Sequence, residues 1–175
     1  MNARLRSDPN RRGRSRSPND ERIGVRPATL RDLPTLLQHR IGMERELGRG
    51  GKKGMEPFIR AYRRWVLAGL RSRHLIPFVA MGRDGHPVGT GSIWLREDRP
   101  HRGNLRVLVP RIHGMYVEPR ARRRGAATSL LRAMLRWIRR HGYRRVVLRT
   151  TPRARALYVR YGFRPNGEMD RVWSE

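Results

Sequence analysis

The chain contains no cysteine. That excludes a disulfide framework, a thiolate zinc site and a cysteine nucleophile, and it leaves the redox compartment undetermined. Lysine is almost as scarce, since Lys52 and Lys53 are the sole lysines among 41 Lys and Arg residues. Carboxylates are few as well, with Asp and Glu numbering 14 in 175 residues. No apolar run approaches the roughly 18 residues that a membrane-spanning helix needs. The N-terminal stretch MNARLRSDPNRRGRSRSPNDE has charge but none of the apolar segment of a secretory signal. These absences read as a soluble, non-exported, cytoplasmic protein that makes no use of a membrane.

What is present is arginine, and the formal net charge is +27. A surface of that sign concentrates polyanions, so nonspecific contact with nucleic acid is one expectation. The first 22 residues carry seven Arg against Asp8, Asp20 and Glu21, so most of the excess belongs to the part that follows. A genome rich in G and C would give the same preference of Arg over Lys, although it accounts less well for the net excess. Residues 1–21 lack periodic apolar positions and are expected to be a disordered basic tail, with one domain over 22–175.

Along that domain, RIGVRPAT reads as a short strand. Thr29 and Asp32 form a capping-box pair ahead of Leu33, Leu36, Leu37 and Ile41 at helical spacing, which predicts a helix to about Leu47. After the glycine-rich GRGGKKG, one face of a second helix is marked by Phe58, Tyr62, Trp65, Val66 and Leu70. IPFVAM and PVGTGSIWL flank Asp84-Gly85, a hairpin signal that predicts strands over 76–82 and 87–96. A loop is expected over 97–110, then a strand over 111–117.

Ala127, Leu130, Leu131, Met134, Leu135 and Ile138 form the next apolar stripe, closed by Gly142. A strand over 144–150, a short helix ending at Gly162 and a clipped strand within EMDRVW complete the pattern. The fold class is α/β: a mixed, mostly antiparallel twisted sheet with helices on both faces.

The stretch from Val117 to Thr128 is a strand end, a proline turn, three arginines and a helix start with small residues. Helix N-termini offer unsatisfied N–H groups and the positive end of the macrodipole, and Gly125 and Ala127 let a phosphate come close to the backbone. Thr128 can add a hydroxyl.

V-x-P-x-x-R-x-x-G-x-A over Val117–Ala127 resembles the acetyl-CoA signature of the GCN5-related N-acetyltransferases (the GNAT superfamily). ALYVRYGF over 156–163 is similar to that superfamily's second hallmark, Leu-Tyr followed by Gly-Phe. The likeness covers about 23–172. Two departures are Ala127, where members often have Gly, and Thr151, where Asn is common.

The resemblance implies a GNAT fold and an N-acetyltransferase that uses acetyl-CoA as cosubstrate and no metal. It implies that the fourth and fifth strands part, and that the pantetheine arm pairs with Met115, Tyr116 and Val117. The pyrophosphate would sit on amides of Arg122, Arg123, Arg124, Gly125, Ala126, Ala127 and Thr128, with Arg122 acting through its main-chain amide. Arg123, Arg124 and Arg153 would meet the charged phosphates. An N–H near Met115 would polarise the thioester carbonyl, and Tyr158 would protonate the departing thiolate.

For the general base the candidates are Glu44, Glu46, His113 and a chain of water. Glu44 and Glu46 stand two apart on a helix and cannot both face one cleft. The acceptor amine, small molecule or protein, stays open, as does the choice between monomer and homodimer. The charge disfavours polycationic acceptors unless Glu44, Glu46, Glu97 and Asp98 gather into an acidic pocket. A different class of function fits the same charge: a basic nucleic-acid- or ribosome-associated binding protein on this scaffold.

Overall fold

A computed structural model describes residues 23–51, 53–100, 102 and 105–167. The tail expected over 1–21 and the last strand expected within 168–173 lie outside them.

Strand β1 (Gly24–Pro27) leads through a 3-10 turn into helix α1 (Leu33–Glu46), followed by α2 (Met55–Arg71). At the start of α1 the Asp32 carboxylate accepts the Thr29 N–H at 2.7 Å, as the capping-box reading requires. Strands β2 (Leu75–Met81) and β3 (Pro87–Glu97) form the Asp-Gly hairpin. Then come β4 (Leu108–Val117), α3 (Ala126–Arg140), β5 (Val147–Leu148) and α4 (Pro152–Arg160).

The sheet order is β1-β2-β3-β4-β5. The first four strands are antiparallel to their neighbours, and β5 joins β4 in parallel. The two sheet faces carry separate cores. On one, Phe78, Ala80, Ile93, Leu95 and Ile112 pack with Leu130, Leu131, Met134 and Ile138 of α3. On the other, Leu75 and Trp94 meet Leu36 of α1 and Tyr62, Trp65 and Val66 of α2. Alternation along each strand supplies both sets, and each fully buried Leu or Ile contributes about 1.5–3 kcal/mol.

Two boundaries differ from the pattern in the sequence. Strand β4 begins at Leu108, inside the expected loop, because Leu108 and Val109 continue the ladder opposite Glu97 and Arg96 and Val109 is buried. Strand β5 keeps two of the seven residues expected, Val147 and Leu148, paired with Arg111 and Ile112, and beyond Leu148 β4 turns away from it. Helix α3 ends as Gly142 implied: Gly142 takes φ 73° and Tyr143 N–H reaches the carbonyl of Ile138 at 3.1 Å.

Candidate active site

The site is a gap in the sheet. Strands β4 and β5 are registered at Arg111 with Val147 and at Ile112 with Leu148. Immediately beyond, β4 carries a bulge: Ser92 faces His113 and Thr90 faces Tyr116, so Gly114 and Met115 together oppose Gly91. Gly114 holds φ 63°, a conformation that suits glycine and strains branched residues. The bulge bends β4, and Met115, Tyr116 and Val117 project past the last pair with β5. Glu118 N–H donates to Val88 O at 2.9 Å. By alternation the main-chain groups of Val117 turn to the open side of the strand, where its carbonyl accepts Arg122 Nε at 3.0 Å.

At the end of the gap lies the loop before α3. Arg123 sits in the left-handed region at φ 63°, and Gly125, the residue that caps α3, is at φ 83°. Successive N–H groups around such residues line a concavity that suits anions. The first helical bond of α3 runs from Ser129 N–H to Gly125 O at 2.9 Å. The N–H groups of Ala126, Ala127 and Thr128 thus precede the helical ladder and have no acceptor within it. They stand at the positive end of a 15-residue helix. The Arg122 N–H is directed at Pro119 O, 3.3 Å away. Its guanidinium holds the Val117 carbonyl and the Glu46 carboxylate, with the Tyr116 ring 5.8 Å from its carbon.

Helix α4 closes the gap from the other side. Tyr158 is buried, its ring meets Phe163 edge-on at 5.7 Å, and its hydroxyl donates to Met115 Sδ at 3.3 Å. Burial pushes this hydroxyl above the ordinary tyrosine range, so it is protonated and able to donate at neutral pH. Arg153 is exposed in the first turn of the same helix.

Each candidate base is engaged by other side chains. Glu46, at the end of α1, is tied to Arg122. Glu44 is buried and sits between Arg40 at 2.6 Å and Arg49 at 2.8 Å. His113 points to the opposite sheet face, against Trp65 at 5.2 Å and Trp94 at 6.2 Å between ring centroids. Burial, reinforced by Arg40 and Arg111, lowers its pKa to about 4, so the ring is neutral at pH 7.

Glu97 and Asp98 stand where β3 pairs with the start of β4, while Glu46 neighbours the Tyr116 end. The two acidic groups are separated by most of the length of β4, and the acidic pocket does not form. His39 is a residue that the apolar pattern of α1 did not single out. It is 2 % exposed, with Nδ1 3.3 Å from Thr90 Oγ1 and Nε2 3.4 Å from Glu118 Oε1, and Tyr116 lies 5.4 Å away. It fastens α1 to the strand end from which the loop departs.

A mostly antiparallel open sheet that parts beside β4, with a helix N-terminus at the end of the gap, defines the architecture of the acyl-CoA transferases. The family model of the acetyltransferase (GNAT) family matches residues 43–163, and the chain belongs to that family of acetyl-CoA-dependent enzymes. It is similar to a GCN5-related N-acetyltransferase from Ralstonia eutropha, with 27 % identity, a TM-score of 0.78, and 86 % of this chain and 98 % of that one covered.

A predicted acetyltransferase from Clostridium acetobutylicum, solved with acetyl-CoA, shares the fold at 21 % identity and a TM-score of 0.75, covering 86 % of this chain and 95 % of that one. Glucosamine-6-phosphate N-acetyltransferase from Arabidopsis thaliana does so at 16 % identity and a TM-score of 0.63, covering 87 % and 99 %. No curated protein sequence matches the chain. No helix of the described residues is long and apolar enough to cross a membrane, and they contain no group of three metal-ligating side chains.

Proposed function

We propose that the chain transfers the acetyl group of acetyl-CoA directly to a primary amine. The observation that carries this reading is the Tyr158 hydroxyl set against a sulfur atom, that of Met115, at the mouth of the β4–β5 gap. When bound, acetyl-CoA supplies an activated acyl group, and the protein binds it, orients it and protonates the leaving group.

The unpaired side of Met115–Val117 receives the pantetheine arm. The N–H groups of residues 123–128, left over by the helix and by the positive φ of Arg123 and Gly125, receive the pyrophosphate. Gly125 and Ala127 keep side-chain bulk out of the cradle, and the Thr128 hydroxyl adds a donor. Arg123, Arg124 and Arg153 supply positive charge around it. The Met115 N–H stabilises negative charge as it develops on the carbonyl oxygen. The substrate nitrogen forms its bond to the acyl carbon as the bond to sulfur breaks, and Tyr158 gives its proton to the sulfur.

Proton removal from the amine is assigned to water. Glu46 and Glu44 are held by arginines, and a His113 with a pKa of about 4 is a weak base near neutrality. The acceptor class follows from the neutralised acids. With Glu44 and Glu46 paired to arginines and Glu97 and Asp98 distant, these four acids do not offset the positive field for a polycation, so neutral or acidic amines are the favoured acceptors. Release of free thiol from acetyl-CoA, scored across neutral, acidic and polycationic amines, tests this. Turnover confined to polyamines or aminoglycosides would overturn the acceptor assignment, and thiol release with no acetylated amine would overturn direct transfer.

A further inference from the structure

We propose that the C-terminal end of α3 is a docking surface for single-stranded nucleic acid, separate from the acetyl-CoA cradle at the other end of that helix. Fifteen residues of helix place the two sites about 20 Å apart. The surface stands on observations that the transferase reading does not use.

The first is the distribution of charge. From Pro119 to Gly167 the chain has fifteen arginines and no Asp or Glu. Folded, this stretch is α3, β5 and α4, so one part of the domain carries positive charge with no acid of its own. Carboxylates from elsewhere reach Arg120, Arg122 and Arg145. Arg132, Arg136, Arg139 and Arg140 are exposed, opposite the face that buries Leu130, Leu131, Met134 and Ile138. Helix C-termini favour cations, which accounts for Arg139 and Arg140 in part. It does not account for Arg136 one turn earlier or for Arg144 beyond the helix.

The second is a set of flat rings at the same place. Trp137 and His141 stack with centroids 3.8 Å apart and planes 19° from parallel, and Tyr143 lies 17° from the Trp137 plane at 6.3 Å. His141 is exposed, and its ring is fixed by Nδ1 at 2.8 Å from Trp137 O. Arg106 lies 4.9 Å over Tyr143 and donates to His141 O at 3.0 Å. Leu105 and Val107 flank Arg106 and are 79 % and 49 % exposed. His141 is the exposed ring of this stack, backed by the half-buried Trp137 and Tyr143, and an exposed ring with guanidiniums around it suits a ligand that alternates flat bases with phosphates. Duplexes and acidic proteins match the charge but offer no unstacked base to the rings.

The test measures fluorescence anisotropy of a labelled oligouridylate with the full chain, competed by polyphosphate and by duplex RNA, over a salt series. Arg139→Ala with Arg140→Ala should weaken binding about tenfold and lower the salt slope by about 1.4, at roughly 0.7 per phosphate on a single strand. Arg63→Ala with Arg64→Ala removes the same charge from exposed positions on α2 and should change affinity less than about twofold. His141→Ala should weaken the oligouridylate about fivefold or more and leave polyphosphate unchanged. All three variants should bind acetyl-CoA as wild type does. Equal losses from both arginine pairs, an unaffected His141→Ala, tighter binding of duplex, or no binding at low salt would each overturn the proposal.

Discussion

The Tyr158 hydroxyl and the Met115 sulfur, 3.3 Å apart, join α4 to β4 across the place where β4 and β5 part. A thioether is a weak acceptor, and a departing thiolate is a much stronger one, so the same hydroxyl is positioned for a better partner than the one it has. Tyr158→Phe keeps the ring against Phe163 and removes only the donor. Because a thiolate of pKa near ~8.5 leaves fairly well, kcat should fall about 10–100-fold, at or below the lower end of general-acid effects. The acetyl-CoA dissociation constant should stay within about twofold, since the donor acts on the leaving group. Thiol-release kinetics beside calorimetry measure both, and an unchanged kcat would remove Tyr158 from the chemistry.

The side chain of Arg122 links the signature loop to the end of α1 through Glu46 and to Val117 O. Both partners of the ion pair are partly exposed, so its worth to stability is about 0.2–1 kcal/mol. A double-mutant cycle with Arg122→Ala and Glu46→Gln should return a coupling of that size in denaturant unfolding. Arg122→Ala should also weaken acetyl-CoA binding, whereas Glu46→Gln should leave kcat largely intact. If Glu46→Gln instead abolished turnover with a changed pH profile, Glu46 would be the base and the assignment to water would be wrong.

Stability should depend on pH through His113. Its folded pKa, about 4, lies below the ordinary 6.5, so the fold favours the neutral ring. The resulting stability is fully present above pH 6.5 and is lost as pH falls toward 4, because the unfolded chain takes up the proton first. Buried His39 is displaced in the same direction by burial and adds to the loss. Urea midpoints at pH 7 and pH 5 should differ by on the order of 1–3 kcal/mol in unfolding free energy. His113→Phe should remove much of that difference. A variant with the wild-type pH dependence would contradict the burial of a neutral imidazole.

Most of the frame was legible because its signals are local. Asp84-Gly85 marked the hairpin, Thr29 and Asp32 the start of α1, the apolar stripe from Ala127 to Ile138 the buried face of α3, and Gly142 its end. What escaped depends on distant parts of the chain. The end of β5 after Leu148 coincides with the bulge at Gly114 and Met115, which only the register with β3 reveals.

His39 looked like a polar position on an amphipathic helix, yet its partners Thr90 and Glu118 stand 51 and 79 residues away. The turning of the Arg122 amide toward Pro119, and of its guanidinium toward Glu46, likewise has no trace in a motif that specifies residue types alone. A leucine in place of a buried histidine would have carried the ordinary periodic signal.

The phosphate cradle is mostly main chain, so the test of the central claim must alter the backbone's accessibility more than its charge network. Gly125 caps α3 at φ 83°, and Gly125→Glu puts both a strained side chain and a carboxylate where the phosphates would lie. The measurement is isothermal titration of acetyl-CoA into wild type and into Gly125→Glu, with circular dichroism confirming that both are folded. The account predicts that wild type binds with a dissociation constant in the range of about 1 μM to 1 mM common for enzyme substrates, and that the variant loses about 100-fold or more. Wild type that takes up no acetyl-CoA, or a folded Gly125→Glu that binds it equally well, would contradict the account.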